Sequence, residues 1–344
     1  MPPEAGWPRV VVDAMGGDNA PDAVVEGAVA AARSWGVPVH LVGDEERVSR
    51  LLERFAGRDG RFGDLVSVRH APDLIGAEEQ PVLAVRRKRD SSLVVAMRMV
   101  RDGEAEAVVS AGNTGALMAG GVLILGRLDG VDRPAIATVL PTSDGRGVLV
   151  LDAGANVDSR PEHLLQFAFM GAAYAELVLG WKRQRVGLLN IGAEESKGGE
   201  TVKAAYALLR SSKLDFAGNI EARDVFSGSV EVVVCDGFVG NILLKNTEGV
   251  AALILGSLKE EAKFGLMSRM GAALVMPALR RLKKKLDYVE YGGAPLLGLK
   301  KACIKCHGSS NAVAIANGIR VAARFAMSGA IDALAHRLSA GGAR

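Results

Sequence analysis

The chain has 344 residues, of which 49% are hydrophobic and 42 are glycine, well above the usual glycine share of about 7%. It has only 12 prolines and no Gly-X-Y period, which excludes collagen and low-complexity linkers. The net charge of +3 gives no support to nucleic-acid binding by global charge. Three cysteines, an odd number, predict reduced thiols rather than a disulfide framework.

Short runs rich in Val, Ile and Leu alternate along the chain with helix-length segments. The predicted strands span residues 9–12, 37–42, 65–68, 107–110, 135–140, 147–151, 186–191, 230–235 and 302–305. The predicted helices, with apolar residues at helical spacing, span residues 21–33, 81–100, 161–179 and 310–323. Strands without polar alternation, separated by helices, indicate a three-layer αβα fold around a mostly parallel sheet. No repeat or long linker divides the chain, so we expect one α/β catalytic domain over residues 9–335.

Residues 242–288 interrupt this alternation, because they carry no strand signal and form two helical stretches. The second stretch includes Leu274 and Met276 and ends in the basic run 280–285. Such an excursion is typical of a subunit contact, a lid or a membrane contact, and an ordinary amphipathic helix is the alternative. The chain shows no charged-then-apolar leader, and no uninterrupted apolar run reaches transmembrane length, so a cytoplasmic location is expected.

Six apolar runs stop at a polar residue that a glycine-rich turn follows at once. These turns span residues 13–18, 110–115, 152–156, 190–194, 236–241 and 307–311. Ligands of open α/β sheets bind outside the carboxyl ends of the strands, so we expect the six turns to line one crevice. Glycine lets backbone N–H groups approach a ligand and helix N-termini favour anions, which predicts a phosphate or carboxylate ligand. Glycine that merely makes a tight turn after each strand is the alternative.

Familiar ligand and catalytic signatures are missing from the sequence. There is no Gly-x-Gly-x-x-Gly, no Gly-Lys dipeptide and no Gly-x-Ser-x-Gly, which argues against a Rossmann site, a P-loop and an acyl hydrolase. The segment 303–307 matches the Cys-x-x-Cys-His pattern of haem attachment, but that modification needs an exported chain. Zinc would lack a second ligand pair, because Cys235 stands alone. We therefore expect no metal and no cofactor, and no role is assigned to Cys235, Cys303 or Cys306.

Lys197 lies in a polar, glycine-rich turn between a predicted strand and the following helix. Its ammonium could reach a phosphate in the crevice. A solvated loop lysine is the alternative.

Read together, the six turns and the segment Arg133-Pro-Ala-Ile-Ala resemble the PlsX family of phosphate acyltransferases of bacterial phospholipid synthesis, in the right order from about residue 9 to 325. The resemblance implies a fold similar to phosphotransacetylases and to isocitrate and isopropylmalate dehydrogenases. It implies that acyl-[acyl carrier protein] and inorganic phosphate give acyl phosphate, which feeds a glycerol-3-phosphate acyltransferase, without metal or nucleotide. It also implies a homodimer with peripheral membrane contact. Cys303 and Cys306 depart from the family pattern.

Phosphate is an adequate nucleophile and a thiolate a good leaving group, so such an enzyme must mainly position two anions and stabilise an oxyanion. On the resemblance, Lys197 neutralises phosphate and the growing charge, and the Asn241 amide donates to the thioester carbonyl. Asp236 orients Lys197 or the Asn241 loop, and His307 assists the leaving sulfur. The expected phosphate and substrate contacts are Asp13, Gly16, Gly17, Asn113, Thr114, Gly115, Asp152, Asn156, Asn190, Gly237, Gly240 and Ser309.

The acidic carrier protein needs a basic landing surface. The candidates are the cluster Arg86, Arg87, Lys88 and Arg89 and the run 280–285, each against the alternative of ordinary solvated charge. Three other functions stay open at this point. They are a phosphotransacetylase acting on short acyl-coenzyme A, a dehydrogenase of similar fold with a nicotinamide site, and a non-catalytic anion-binding scaffold for membrane lipid enzymes.

Overall fold

The computed structural model describes residues 6–56, 63–261, 275 and 292–339. Within them the strands are β1 Val10–Asp13, β2 Val39–Gly43, β3 Val66–His70, β4 Ala107–Ser110, β5 Ala135–Ile136, β6 Thr138–Leu140, β7 Val148–Leu151, β8 Val186–Leu189, β9 Phe216–Ile220, β10 Val232–Val234, β11 Ala294–Leu297 and β12 Ala302–Lys305. The helices are α1 Asp22–Trp35, α2 Glu45–Ala56, α3 Pro81–Arg87, α4 Ser92–Arg101, α5 Thr114–Gly120, α6 Pro161–Leu177, α7 Glu200–Ser211, α8 Gly237–Glu261, α9 Ala312–Met327 and α10 Ala330–Ser339. A π-helical turn, Gly121–Leu125, continues α5.

The strands form two sheets rather than the single sheet that the sequence indicated. One has seven strands in the order β3-β2-β1-β4-β12-β11-β5, and the other has five in the order β6-β7-β10-β8-β9. All pairings are parallel except those of β11 with β12 and β5 and that of β6 with β7. The prediction of a mostly parallel α/β fold is confirmed.

Each of the nine predicted strand segments contains a strand, but segment 135–140 contains two that belong to different sheets. The chain changes sheets at Ala137, whose N–H donates to Pro295 O at 3.0 Å. Two strands were not predicted. In β9, Gly218 has φ +95°, and β11 contains Pro295, and both residue types weaken a strand signal. The predicted helix 81–100 is broken into α3 and α4, where Ser91 Oγ donates to Lys88 O at 2.8 Å.

Helices α1 and α9 pack closely on the seven-stranded sheet because small residues line their contact. A Cβ at Gly27 would lie 2.7 Å from both Ala312 O and Ile315 Cβ. The strand beneath them, β1, begins with Val10, Val11 and Val12, each at most 1% exposed. Burial of such a side chain contributes about 1.5–3 kcal/mol, so these valines hold Asp13, the last residue of the strand, in a fixed place.

The first part of the predicted excursion continues α8, which exposes Ile242, Val250, Leu253, Ile254 and Leu258. Over Gly237–Leu258 this helix is long and apolar enough to cross a membrane by length and composition alone. Charged side chains lie within it, so the sequence shows no uninterrupted apolar run there. Leu274, Met276 and the basic run 280–285 lie outside the described residues.

Candidate functional site

The six glycine-rich turns fall into two groups of three. Strands β1, β4 and β12 are parallel neighbours in the seven-stranded sheet, and β7, β10 and β8 are parallel neighbours in the five-stranded sheet. Carboxyl ends of parallel neighbours meet at one edge, so each group lines one edge. We call them the first edge and the second edge.

At the first edge, Asp13 is 3% exposed and its Oδ2 accepts a hydrogen bond from Ser110 Oγ at 2.7 Å. Burial raises the pKa of the Asp13 carboxyl, while hydrogen bonds from Ser92, Ser110 and the backbone act in the opposite direction. A Cβ at Gly16 would lie 2.5 Å from Asp13 Oδ2, so the turn can close over the carboxyl only because residue 16 is glycine. Asp13, at the end of β1, therefore binds Ser110 at the end of β4 beneath the glycine-rich turn.

The turn after β1 also meets the turn after β12. Gly17 has φ +108°, and a Cβ there would lie 3.1 Å from Gly308 O. The next residue, Asp18, donates its N–H to Gly308 O at 2.8 Å. Asn19 Nδ2 donates to Ser309 O at 3.1 Å, so the backbone carbonyl of Ser309 helps to bind the turn after β1 to the turn after β12.

Asn113 anchors the turn after β4. Its Oδ1 accepts from Ala116 N at 3.0 Å as the cap of α5, and its Nδ2 donates to Gly76 O at 3.2 Å and Ala77 O at 2.9 Å. The predicted contacts Thr114 and Gly115 follow it. A cleft of about 420 Å³ lies between this turn, the turns after β1 and β12 and residues 74–77.

The positive charge of this cleft comes from a residue that was not among the predicted contacts. Lys305, the last residue of β12, lines the cleft, and its ammonium donates to Ala111 O at 3.1 Å. Burial lowers the pKa of Lys305. The signal was a lysine at the end of an apolar strand just before a glycine turn, but the surrounding Cys-x-x-Cys-His pattern drew attention to the thiols instead.

At the second edge, Asp152 is fully buried and is surrounded by donors. Its carboxylate accepts hydrogen bonds from the N–H groups of Ile136, Gly154, Ala155 and Asn156 and from Asn156 Nδ2, at 2.7–3.2 Å. Burial raises the pKa of Asp152, and these donors act in the opposite direction. The predicted contacts Asp152 and Asn156 thus hold the turn after β7 together.

Asp236 performs a similar task after β10. Its Oδ2 accepts from Ser159 N at 2.8 Å and its Oδ1 accepts from Phe238 N at 2.8 Å, in the first turn of α8. A Cβ at Gly237 would lie 2.6 Å from Asp152 Oδ2, and one at Gly240 would lie 2.9 Å from Cys235 Sγ. The two glycines therefore let α8 start against the Asp152 turn.

After β8, Asn190 closes the turn that carries Lys197. Asn190 Nδ2 donates to Lys197 O at 3.1 Å, and Gly198 has φ +85° where a Cβ would lie 2.7 Å from Asn190 Oδ1. The Lys197 side chain is exposed, and no carboxylate forms an ion pair with it in the described part of the chain.

Helix α8 connects the two edges. Asn241 packs against the turn after β7, where a Cβ at Gly154 would lie 3.3 Å from Asn241 Oδ1. One helical turn later, Lys245 Nζ lies 3.3 Å from His307 Nε2 in the turn after β12. Burial, and then the charge of Lys245, lower the pKa of His307. Its Nδ1 lies 2.8 Å from Ser309 Oγ and accepts from Ser309 N at 3.2 Å. Of the four predicted catalytic residues, Asn241 and His307 thus lie beside one face of α8.

A larger groove, about 690 Å³, lies beside both edges and reaches from Gly115 to Asn156. Its walls combine the apolar side chains of Val82, Met118 and Leu123 with the guanidinium groups of Arg127, Arg133 and Arg160. Such a groove can accept a ligand with an apolar chain and an anionic group.

The cluster 86–89 is not uniformly available. Arg86, Arg87 and Arg89 are exposed, whereas Lys88 Nζ donates to Glu79 Oε1 at 2.8 Å and to Leu74 O at 2.8 Å. The hydrogen bond with Glu79 raises the pKa of Lys88.

The three cysteines are buried and unbridged. Burial raises the pKa of Cys306 to about 12, and the pKa values of Cys235 and Cys303 are raised by the same cause. A thiol kept protonated in this way is a poor nucleophile and metal ligand. Within the described residues no group of three or more His, Cys, Asp or Glu side chains could hold a metal ion.

Comparison with known proteins connects these features to a family. A family model described as "Fatty acid synthesis protein" matches residues 8–333. The chain is 50% identical to the phosphate acyltransferase of Desulforamulus reducens over 96% of this chain and 97% of the relative, and 52% identical to that of Syntrophotalea carbinolica over 91% and 89%. In fold it is similar to a phosphotransacetylase from Streptococcus pyogenes, with a TM-score of 0.64 at 16% identity over 93% and 94% of the two chains. The chain therefore belongs to the PlsX family, the fatty acid synthesis proteins, and is an acyltransferase, as the family resemblance implied.

Proposed function

We propose that this protein transfers the acyl group of acyl-[acyl carrier protein] to inorganic phosphate, giving acyl phosphate and free carrier protein for phospholipid synthesis. The observation that carries the proposal is the identity of about half of all residues with proteins named phosphate acyltransferase, over nearly the full length of both chains. The groove lined by apolar and guanidinium groups supports an acyl donor with an anionic arm.

In this reaction a phosphate oxygen attacks the thioester carbonyl carbon, and the electron pair of the C=O bond moves to oxygen. When the oxyanion collapses, the C–S bond breaks and its electron pair leaves with sulfur as a thiolate. Thiol pKa values near ~8.5 make that departure easy, so no covalent enzyme intermediate is needed. The protein has to hold the two anionic reactants together and stabilise the oxyanion.

Asn241 and Lys197 supply donors from the second edge in this proposal. The Asn241 amide donates to the thioester carbonyl oxygen, and the exposed Lys197 ammonium neutralises developing charge. Asp236 binds the first turn of α8 through Phe238 N, which supports a role in orienting the Asn241 segment. His307, held neutral beside Lys245, lies at the first edge where the leaving sulfur would pass.

The direct test supplies purified protein with inorganic phosphate and acyl-carrier protein and measures acyl phosphate and free thiol. We expect thiol release that requires phosphate and equals the acyl phosphate formed. Release without phosphate would contradict the proposal. Phosphate binding with no thiol release from any acyl donor would instead indicate a non-catalytic scaffold, and reduction of a nicotinamide cofactor would indicate a dehydrogenase.

A phosphotransacetylase acting on short acyl-coenzyme A is the second candidate, because solved phosphotransacetylases share this fold. Supplying both thioesters at equal concentration separates the two. Under the main proposal acyl-carrier protein has the higher kcat/KM, and a preference for short acyl-coenzyme A would reverse the assignment.

The other expectations from the resemblance also remain proposals. They are a cytoplasmic homodimer that touches the membrane peripherally and delivers acyl phosphate to a glycerol-3-phosphate acyltransferase. The long exposed apolar face of α8 supports a peripheral contact. Flotation with lipid vesicles tests it, and a Leu274→Glu, Met276→Glu variant that floats as well as the wild type would exclude those residues.

A further inference from the structure

Lys305 has no part in the chemistry proposed so far, although it is the cation that lines the cleft of the first edge. Its ammonium donates to two carbonyl oxygens, Ala111 O at 3.1 Å and Cys306 O at 2.5 Å. An ammonium group has three donors, so one N–H is left for a further partner.

The charge of Lys305 lacks a direct counter-ion. Both acceptors are neutral, and no carboxylate forms an ion pair with Lys305 among the residues that the structure describes. Lys305 is half-buried in the wall of the cleft, and a cation partly withdrawn from water is costly unless it is paired. An anionic ligand in the cleft would remove that cost.

Nearby charged groups leave room for an anion. The charges of Asp13 and Asp18 favour the protonated form of Lys305, but neither carboxylate forms an ion pair with it among the described residues, and Asp18 is exposed at the rim, where water and salt screen its charge. Lys245 of α8 adds positive charge, and the Cys306 thiol stays protonated because burial raises its pKa.

The three turns of the first edge hold Lys305 rigidly. Cys306 N donates to Ser110 O at 2.9 Å, which ties β12 to β4, and Asp18 N donates to Gly308 O at 2.8 Å, which ties the turn after β1 to the turn after β12. A cation fixed in this way binds an anion without losing much side-chain entropy.

We propose that Lys305 binds the inorganic phosphate that acts as nucleophile, through its third N–H. The inference rests on the proposed function and divides that site between the two edges. The first edge holds phosphate on Lys305, and the second edge presents Asn241 and Lys197 to the thioester carbonyl. Helix α8 connects the two, so phosphate and thioester would meet along its Asn241 and Lys245 face.

Calorimetric titration of the full-length protein with inorganic phosphate, without acyl donor, tests the site apart from turnover. Lys305→Gln keeps a donor and loses the charge, Lys305→Arg keeps the charge, and Lys301→Gln at the opposite end of β12 is the matched control. We expect Lys305→Gln to weaken phosphate binding by about tenfold or more, because charge-assisted hydrogen bonds are about twice as strong as neutral ones. Lys305→Arg should retain most of the affinity, and Lys301→Gln all of it.

Steady-state kinetics of the same variants provide a second measurement. In Lys305→Gln the KM for phosphate should rise by a similar factor while the KM for the acyl donor stays unchanged. Phosphate affinity of the wild type should also fall with rising pH before ordinary lysines titrate, since the pKa of Lys305 is lowered. This pH series needs no variant and applies even if Lys305→Gln does not fold.

Several results would overturn the assignment. Two concern the wild type: it does not bind phosphate, or its affinity for phosphate stays constant across the alkaline range. Two concern the variants: folded Lys305→Gln binds phosphate as tightly as the wild type, or Lys197→Ala loses phosphate affinity while Lys305→Gln does not. Phosphate binding that depends on Lys305 in a protein without acyl transfer would refute the proposed function and leave the site intact.

Discussion

Asp13 and Asp152 follow buried apolar strands in nearly the same local sequence, yet the structure uses them differently. Asp152 accepts hydrogen bonds from five N–H donors and holds the second edge together. Asp13 accepts from the hydroxyls of Ser92 and Ser110 and from backbone N–H groups of its own turn, beside the cleft that Lys305 lines. The same pattern therefore forms a turn closed by backbone N–H donors at one edge and a carboxylate beside an open cleft at the other.

The largest expected difference between the two edges is in stability. Asp152→Ala leaves several buried donors without an acceptor, and each unsatisfied donor costs about 1–3 kcal/mol. We expect a loss of about 3 kcal/mol or more in the free energy of unfolding, measured by urea denaturation. Asp13→Ala should cost less.

Asp158→Ala is the control for this comparison, because Asp158 is exposed in the same turn region. Its effect should stay within about 0.5 kcal/mol. Equal destabilisation by Asp152→Ala and Asp13→Ala would refute the distinction between scaffold and cleft.

The second edge should matter for turnover through the side chains that it presents. Asn241→Ala and Lys197→Ala should each lower kcat by about 10²-fold or more, the scale for loss of an oxyanion donor, with little change in unfolding free energy. Asn246→Ala on the same helix and Lys213→Ala, both at exposed positions, are matched controls. Near-normal turnover in both site variants would remove the second edge from the chemistry.

The fold class and the six turns could be predicted because they are local: each depends on an apolar run and the residues directly after it. Their division between two edges could not, because strand order is set by contacts between distant segments. Cys303 of β12 pairs with Val108 of β4, although the two residues are far apart in the sequence. Lys305 could not be predicted for the same reason, because the cleft that it lines is formed by turns that are distant from it in the sequence.

Residue type alone does not tell what a polar side chain in a turn does. Asn113, Asp152 and Asn190 are predicted substrate contacts, and in the structure each also forms a hydrogen bond within the turn that follows its strand. A side chain whose hydrogen bonds are satisfied locally looks the same in a sequence as one that faces a ligand. Only the count of partners distinguishes the two.

The contact between Lys245 of α8 and His307 should control the pH profile of kcat/KM. The positive charge of Lys245 lowers the pKa of His307, so Lys245→Met should raise that pKa towards its ordinary value. If the neutral ring is the active form, the acid limb of kcat/KM then moves to higher pH, and NMR titration of the imidazole reports the same shift. Lys245→Arg should keep the wild-type profile. An acid limb that does not move in Lys245→Met would separate His307 from catalysis.

The smallest expected effect concerns the proposed carrier surface, the basic cluster 86–89 at the end of α3. Arg86→Glu with Arg87→Glu should raise the KM for acyl-carrier protein several-fold at low ionic strength, and the difference from the wild type should shrink as salt screens the charges. Lys88→Glu tests a different property, because Lys88 holds Glu79 and the loop at Leu74, so that variant should disturb the cleft itself. An unchanged KM in the double variant at low salt would indicate the basic run 280–285 as the docking surface instead.

Acyl-coenzyme A is the control, because it lacks the carrier protein. If the effect comes from docking, the KM for acyl-coenzyme A should not change with either arginine substitution.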